Sequence, residues 1–442
     1  MLEDRIKKIN STENLNRKYI VYWMQEAQRT RYNFGLEKAI RISNLKKQPL
    51  YVIFNLMKNY PEAQKRHFEF MLQGLKNVRE NLAKKKIKFI LLEGDFQENI
   101  LKISEKTSSM VWDKSYLKFQ IGIKEKILKN IECDVFEVES NVLVPVEIVT
   151  KKEEYSAKTF RDKYNKVKDR YIDWLEEEKY DVSYPSKDNM DSLDLSDKYF
   201  PEKLEELDGG FLGGEDEALK RLERFIDSDL KFYLEKGPDN ERYSKLSPYL
   251  HFGNISPLEI WQRLSKKSDL TECCESFLEE LLIRRELAIN FVYYNKKYDE
   301  WNGITYRWAY ETLKLHEDDK REHIYSKEEL EAFKTHDEYW NSCQKQMVKT
   351  GYMDGYMRMY WCKKILEWSR TPQIAYETAI YLNNKYFYDG RDPSSYTGVA
   401  WCFGKHDRAW KERAIFGKIR YMNSNGLERK FEMETYIKKY GR

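Results

Sequence analysis

The sequence contains none of the cysteine spacings that bind metal ions. Its six cysteines include no pair separated by two residues, and its six histidines are scattered along the chain. Zinc and iron–sulfur sites need such clusters, so we expect no metal site and free thiols in a reducing compartment. An apolar run of membrane length and a signal-peptide pattern are also missing. Together these absences predict a cytoplasmic protein (nuclear in a eukaryote) without a membrane partner.

A dinucleotide fingerprint is missing too, because no G-x-G-x-x-G follows the first apolar run. Short apolar runs nevertheless alternate with helical patterns in the first third of the chain. The runs are Tyr19–Met24, Leu50–Leu56, Lys88–Glu93, Ser108–Asp113 and Asp134–Glu139, and the helical patterns include Glu62–Lys84 and Tyr116–Asn130. This alternation predicts a Rossmann-like α/β domain over residues 1–182, with a parallel sheet and a frayed polar start over residues 1–16. A ligand could lie at the carboxyl ends of its strands.

A strong net charge is absent as well. Charged residues make up 34% of the chain, but the formal net charge is only +4. The charge is unevenly spread: residues 183–217 carry 3 basic and 11 acidic residues, whereas residues 401–442 carry 11 basic and 5 acidic residues. We expect the first segment to be a solvated acidic linker between domains. The second is either an ordinary solvated surface or a nucleic-acid interface.

Helical periodicity dominates from residue 218 to residue 442. Apolar residues recur at helical spacing in Leu219–Leu230, Pro257–Leu264, Glu275–Tyr294 and Met357–Trp368, and no strand alternation is evident. The second domain should therefore be all-α. With 442 residues, the chain is long enough for two such domains.

Tryptophan is plentiful where the second domain is most apolar. Five of the 11 tryptophans lie within or just before Tyr352–Trp410, which also contains Arg358, Asp389 and Arg391. Trp361 and Trp368 are seven residues apart on one helix, so their rings share a face roughly 10 Å apart. That spacing permits electron hopping, but it is equally typical of an aromatic core. A charge in such surroundings must be paired.

The second half of the chain contains a series of long blocks rich in rare residue types. The most specific is GYMRMYWCKKILEW, followed by YDGRDPSSYTGVAW. The others are LSPYLHFGNIS (Leu246–Ser256), FLEELLIRRELAINFVYYN (Phe277–Asn295), KREHIYS (Lys320–Ser326) and FGKIRYMN (Phe416–Asn423). These blocks are in order, cover most of residues 220–430, and resemble the class II cyclobutane-pyrimidine-dimer photolyases of the photolyase/cryptochrome family.

The resemblance implies an antenna-type α/β domain and an all-helical domain that binds FAD. The residues that match flavin contacts are Tyr233, Leu246, Ser247, Pro248, Tyr249, Leu250, Arg358, Asn383, Asp389 and Arg391. Read alone, Ser247–Leu250 is only a capped helix start and Arg358–Asp389 only a structural salt bridge. In the family the matching pair clamps the flavin, and Asn383 matches an asparagine close to flavin N5.

The resemblance also implies light-driven repair of pyrimidine dimers in DNA. Glu280, Asn383 and Trp401 are the expected catalytic residues, and Trp401 would stack on the flipped dimer. Tyr356, Met359 and Arg284 match other walls of the lesion pocket, and Arg408, Lys418 and Arg420 match residues that hold DNA. From spacing alone, Glu280 and Arg284 could instead form a surface ion pair.

For electron transfer, the resemblance implies the order Trp361 nearest the flavin, Trp340 in the middle and Trp368 at the surface. A second, light-harvesting chromophore, either a deazaflavin or a folate, is also implied, although no motif identifies it. We expect a monomer that acts on damaged double- or single-stranded DNA. The alternative functions are those of a cryptochrome-type light receptor without repair activity and of a non-enzymatic nucleic-acid-binding module.

Overall fold

The first part of the chain forms a six-stranded sheet. The computed structural model describes residues 3–12, 17–173, 175–185, 190–267 and 270–441. The strands are β1 (Ile6–Asn10), β2 (Tyr19–Trp23), β3 (Leu50–Leu56), β4 (Lys88–Glu93), β5 (Thr107–Asp113) and β6 (Asp134–Val138). They are arranged in the order β1-β6-β5-β2-β3-β4. Strands β2 to β6 run parallel, and β1 pairs antiparallel with β6 at one edge.

The five predicted strands are confirmed, but the expectation of a frayed start is wrong for residues 3–12, whereas residues 1–2 and 13–16 lie outside the described residues. Strands β2, β3 and β5 are buried at every position, as expected for a parallel sheet covered on both faces. The edge strand β1 has the sequence IKKIN, which gives a weak apolar signal. It is held from outside the sheet, because the guanidinium of Arg5 donates to the carbonyls of Glu139 and Val142.

Helices cover both faces of this sheet. They are α1 (Phe34–Lys46), α2 (Lys65–Lys84), α3 (Phe96–Ser104), α4 (Lys118–Leu128), α5 (Val146–Val149) and α6 (Ala157–Val167). Side-chain caps mark their starts: Asn33 accepts from the backbone N–H of Leu36, and Asp95 accepts from that of Glu98. The predicted helices at Glu62–Lys84 and Tyr116–Asn130 correspond to α2 and α4.

The acidic segment 183–217, of which residues 186–189 lie outside the described residues, packs on the first half. It contains a 3₁₀ turn (Asp191–Leu193) and α7 (Ser196–Tyr199). Asp194 accepts from the backbone N–H of Leu91 in β4, and Glu215 is buried, where it accepts from the backbone and hydroxyl of Thr30. The expectation of a solvated linker is therefore wrong in part, because some of its carboxylates satisfy backbone donors of the sheet domain.

The second half is helical, and its described residues contain no strand. Its helices are α8 (Glu215–Arg224), α9 (Ser247–His251), α10 (Pro257–Leu264), α11 (Thr271–Leu278), α12 (Arg285–Tyr294), α13 (Arg307–Leu315), α14 (Lys327–Glu331), α15 (Glu338–Thr350), α16 (Gly355–Trp368), α17 (Pro372–Tyr386), α18 (Pro393–Cys402), α19 (Ser424–Glu428) and α20 (Met433–Tyr440). Two π-helical turns interrupt the regular geometry, at Phe225–Asp229 and Glu279–Arg284.

The two halves meet in a closely packed seam. Gly253 has a φ of +70°, and a Cβ there would lie 2.0 Å from the carbonyl oxygen of Glu26. The fully buried Arg29 donates to the carbonyls of Gly253, 2.9 Å away, and Ser140, 2.8 Å away. From α12, Glu286 accepts from the backbone N–H of Leu143. Backbone groups of one half are thus satisfied by side chains of the other.

Candidate functional site

A largely buried charged pair in the helical half, Arg358 and Asp389, joins α16 to the turn after α17. Arg358 Nη1 and Nη2 lie 2.9 and 3.0 Å from Asp389 Oδ1 and Oδ2, which is a bidentate geometry. The guanidinium also donates to the carbonyl of Met353 and lies 3.8 Å from the ring centre of Phe387. The pair is only slightly exposed. The structure therefore fixes a planar cation in one orientation, as the sequence prediction for Arg358 and Asp389 requires.

Two buried polar atoms of the helical half have no hydrogen-bond partner among the described residues. Ser247 begins α9, and its Oγ makes no hydrogen bond to a described residue, and neither does the hydroxyl of Tyr243. The ring of Tyr243 packs against Tyr352, which in turn lies beneath Arg358, 5.7 Å from its Cζ. Buried polar groups are normally paired, so these two atoms point to a polar ligand.

The helix turn Leu246–Leu250 lies where the sequence predicts it. Leu246 and Tyr249 are buried, and Pro248 occupies the first turn of α9. Tyr249 donates to the carbonyl of Leu212, which ties the turn to the end of the acidic segment. Leu250 is the member of this group that lines a second cavity between the two halves.

Glu280 does not form the alternative ion pair with Arg284. It lies on the π-helical turn Glu279–Arg284, where Arg284 Nε is 3.4 Å from Glu279 Oε1 instead. Arg161 holds the same carboxylate of Glu279. The charge of Glu280 acts on Tyr233, where burial first and this carboxylate second raise the pKa of the phenol. The π turn thus contains both residues without pairing Glu280 with Arg284, and it leaves the Glu280 carboxylate able to act on Tyr233.

The ring of Trp401 lies between two cations. Lys363 Nζ is 5.3 Å and Arg420 Cζ is 5.5 Å from the ring centre. Lys363 is fully buried and donates to the carbonyl of Cys402, 2.6 Å away. Arg420 continues outward to the exposed ring of Trp410, 5.0 Å away.

The remaining predicted pocket and DNA residues group around Trp401. Tyr356 and Met359 lie on the same face of α16 as Lys363, seven and four positions before it, and the carbonyl of Met359 contacts Cys402. Arg408 is exposed and lies 5.2 Å from the ring of Trp410. Lys418 is also exposed, and its carbonyl accepts from the backbone N–H of Trp410. Sequence reasoning did not select Lys363, because its charge is hidden within an apolar helix.

The three predicted electron-transfer tryptophans form one contiguous group. Trp340 Nε1 donates to the carbonyl of Trp361, and Trp361 Nε1 donates to Gln344. The ring centres of Trp340 and Trp368 are 5.7 Å apart. The prediction that Trp368 lies at the surface is wrong: it is 3% exposed, because Tyr325 and His336 cover it.

Arg391 lies away from the Arg358 pair, at a cavity between the two halves. This interdomain cavity encloses about 880 Å³ of empty space, part of it open to solvent. It opens at the carboxyl ends of β2 and β3. Its walls include the aromatic rings of Trp23, Phe54, Tyr60, Phe96 and Phe119, and the polar side chains of Glu26, His67, Lys124, His251 and Arg391. The cavity lies at the strand ends, where the sequence predicts that a ligand could lie, and Arg391 is the one of its lining residues that was predicted to bind a cofactor.

Burial dominates the electrostatics of the interdomain cavity. It raises the pKa of Glu26, against the attraction of Lys124, and it lowers the pKa of His67 to about 2. Ser115 links the two charged groups by donating to Glu26 and accepting from Lys124. The cavity is therefore an apolar slot with a few fixed polar groups at its rim, which suits a flat ligand.

Known proteins match the first part of this chain and also nearly its whole length. The family model described as DNA photolyase matches residues 20–181. A deoxyribodipyrimidine photo-lyase of Methanothermobacter thermautotrophicus is 43% identical over 98% of this chain and 97% of its own length. The chain belongs to the DNA photolyase family. The resemblance inferred from the C-terminal blocks is thereby confirmed at the level of the photolyase/cryptochrome family.

Other members of the family extend the comparison. The deoxyribodipyrimidine photo-lyase of Arabidopsis thaliana is 40% identical over 95% of this chain and 88% of its own. An archaeal photolyase of Sulfolobus tokodaii, solved with two FAD molecules, shares the photolyase fold with a TM-score of 0.71, 20% identity and coverage of 96% and 90%. A Synechocystis cryptochrome shares it with a TM-score of 0.77, 15% identity and coverage of 97% and 89%. In the part of the chain described, no helix is long and apolar enough to span a bilayer.

Proposed function

We propose that this protein is a photolyase that repairs cyclobutane pyrimidine dimers in DNA by light-driven electron transfer from reduced FAD. The observation that carries the proposal is the position of Glu280. It is not paired with Arg284, and after burial its charge is the next cause that raises the pKa of the buried Tyr233, so a carboxylate predicted for lesion binding acts on a residue predicted for the flavin. A simple helix surface pair would give no such arrangement.

The residues present fit a bound FAD. Ser247 and Tyr243 offer unpaired polar atoms for its polar edge or phosphates, and Leu246 and Tyr249 offer apolar walls. Arg358, fixed by Asp389, supplies positive charge for a ring that gains electron density. When bound and reduced, the flavin supplies the excited electron that splits the dimer, and the electron then returns, so no net oxidation or reduction occurs.

In this proposal the lesion occupies the space between Glu280 and Trp401. Trp401 stacks on the flipped dimer, and the Tyr356 and Met359 side chains bound the pocket. Glu280 donates or accepts hydrogen bonds at the thymine carbonyl and imide groups, and those bonds strengthen as charge develops on the bases. Extrusion of a dimer costs less than that of intact bases, since its pairing and stacking are already weakened.

The exposed cations near Trp401 would hold the DNA backbone. Arg408 and Lys418 are open to solvent, and Arg420 bridges the Trp401 and Trp410 rings. Phosphate contacts position a duplex without reading its sequence, which suits an enzyme that must act at any dimer.

We assign the interdomain cavity to a second, light-harvesting chromophore, either a deazaflavin or a folate. Its aromatic walls suit a flat ring, and Lys124, Glu26 and Arg391 offer polar contacts at the edge. We accordingly assign Arg391 to this cavity rather than to the flavin. The proposed division of the chain remains 1–182, 183–217 and 218–442, with the catalytic flavin in the third part.

The repair assay that tests the proposal uses the whole protein reconstituted with FAD. Dimer-containing oligothymidylate is mixed with the reduced protein, and recovery of thymine absorbance is followed under blue light and in the dark. We expect light-dependent repair, with Glu280→Ala lowering the yield per absorbed photon while dark lesion affinity stays near that of the parent. Flavin binding and photoreduction without any repair would favour the cryptochrome-type alternative. A colourless protein that binds DNA would support the binding-module alternative.

A further inference from the structure

Asn383, which is predicted to lie beside flavin N5, is hydrogen-bonded to a second buried asparagine, Asn384. Asn383 and Asn384 are consecutive residues near the end of α17, and both are buried. The backbone N–H of Arg391 donates to Asn384 Oδ1 over 2.9 Å, and Asn383 Nδ2 donates to the same oxygen over 3.2 Å. Because the Arg391 N–H can only donate, it identifies the Asn384 atom that faces it as the oxygen.

This assignment fixes the orientation of the Asn383 side chain. An amide turned the other way would place two carboxamide oxygens against each other, so Asn383 must present its nitrogen to Asn384. Its own Oδ1 is the atom left over, since the nitrogen is the atom that Asn384 holds. Asn383 therefore offers an acceptor, rather than a donor, to a ligand.

Two strained residues hold Asn384 in place. Glu62 and Arg391 both have left-handed backbone conformations, with φ of 61° and 63°, which non-glycine residues adopt at a cost. The side chain of Arg391 donates to the Asn384 carbonyl, and the Asn384 side chain acts on the carboxyl of Glu62, where it opposes the rise in pKa that burial causes. Glu62 belongs to the sheet half, so both halves of the protein contribute to this support.

We propose that Asn384, supported by Arg391 and Glu62, is a positioning residue that keeps the carboxamide oxygen of Asn383 turned toward flavin N5. The inference rests on the proposed function, which puts a flavin there. Reduced flavin carries a hydrogen at N5 that donates to this oxygen, whereas the bare N5 of oxidised flavin is an acceptor and meets another acceptor. The pair thereby biases the site toward the reduced cofactor that repair requires.

The test is the midpoint potential of the bound flavin in the whole protein, measured by dye-linked titration. Asn384→Leu removes the oxygen that accepts the hydrogen bond of Asn383 Nδ2, so the Asn383 carboxamide can rotate. Losing one such hydrogen bond should lower the preference for reduced flavin about tenfold, or about 30 mV for a two-electron couple. Asn290→Leu is the matched control, since Asn290 is also a buried asparagine of the helical half but bonds Lys152 and Glu154.

A double-mutant cycle separates positioning from general damage. If Asn384 acts through Asn383, the shift caused by Asn384→Leu should disappear in an Asn383→Leu background. A shift that persists undiminished there, or an unchanged potential in Asn384→Leu, would overturn the inference. Should Asn384→Leu not fold, Asn384→Ser retains a partner for the Arg391 N–H but lacks the amide oxygen, and the same two outcomes apply.

A spectroscopic readout makes the failure of this inference distinct from failure of the proposed function. With ¹⁵N-labelled reduced flavin bound, the N5–H signal of the parent should show a hydrogen-bonded, slowly exchanging proton, and that of Asn384→Leu a faster-exchanging one. A parent that repairs dimers but gives identical N5–H signals in both proteins refutes the inference alone. A parent that binds no flavin refutes the function on which it rests.

Discussion

Two groups of tryptophans in the helical half have opposite surroundings. Trp361, Trp340 and Trp368 are buried, and the first two donate to a neutral amide and a backbone carbonyl. Trp401 is partly exposed and lies between the cations of Lys363 and Arg420. Lys364 also approaches Trp368, at 5.6 Å, but it is paired with Glu367.

The difference indicates how one residue type serves two purposes. A cation near a ring opposes the loss of an electron from that ring, by several kcal/mol at most at an effective dielectric constant of about 20. Neutral acceptors at the indole N–H do not carry that penalty. The buried group is thus suited to pass electrons, and Trp401 is suited to stack on bases beside phosphate-binding cations.

The sharpest way to test the first group is Trp361→Phe. We expect photoreduction of oxidised flavin to fall to a small fraction of the parent's rate, because the chain loses the ring nearest the flavin. Repair by chemically reduced protein should persist. Trp301→Phe, outside the chain, serves as the control. Equal photoreduction in Trp361→Phe and the parent would remove Trp361 from the pathway.

Removing the ring of the second group should have the next largest effect. Trp401→Ala should weaken lesion binding by about 1–3 kcal/mol, the range for loss of aromatic–base stacking. Photoreduction should be unaffected, which distinguishes this ring from the buried chain. Dark titration with dimer-containing and intact DNA measures the effect. Parent-like affinity for the dimer would show that Trp401 does not stack on it.

A smaller effect is expected for Arg408, an exposed cation that contacts Trp410. Arg408→Ala should weaken binding to damaged and intact DNA alike and reduce the salt slope by about 1. Arg420→Ala should affect damaged DNA more strongly, since Arg420 contacts the Trp401 ring. Binding isotherms at several salt concentrations separate the two. A selective loss of dimer binding in Arg408→Ala would instead place this residue in the lesion pocket.

The smallest expected effect concerns the loop that carries these cations. His316 lies between Glu412 and Asp319, and the hydrogen bonds that its imidazole donates to Glu412 first and to Asp319 second raise the pKa of the ring. The charged form therefore stabilises the fold fully below the unfolded value of about 6.5, and this contribution is lost as pH rises through the raised pKa. Melting temperatures across neutral pH should fall slightly more steeply for the parent than for His316→Gln. Identical slopes would rule out this contribution.

The sequence patterns predicted the strands that are buried on both faces, because continuous apolar runs leave little choice. They missed β1, whose residues are half exposed and whose position depends on Arg5 reaching Glu139, far along the chain. The two-domain plan and the Arg358–Asp389 pair were likewise predictable from residue types and resemblance.

Features that depend on local geometry were not predictable. The π-helical turn that contains Glu280 and Arg284 leaves no periodic signature in the sequence. Over a single turn, its spacing of apolar residues cannot be distinguished from that of an ordinary α-helix. The burial of Trp368 depends on Tyr325 and His336, which come from separate segments. Arg391 lies only two residues after Asp389, yet its left-handed backbone directs it to a different cavity.

The seam at Gly253 makes the two halves a single cooperative unit. A fragment containing only the helical half would leave the Gly253 carbonyl and the Glu286 carboxylate without Arg29 and Leu143, their donors. A fragment containing only the sheet half would leave the buried Arg29 with fewer acceptors. Heat or denaturant should therefore unfold both halves together. If one half were exchanged with that of a distant relative, the residues of the other half at this contact would have to be changed as well.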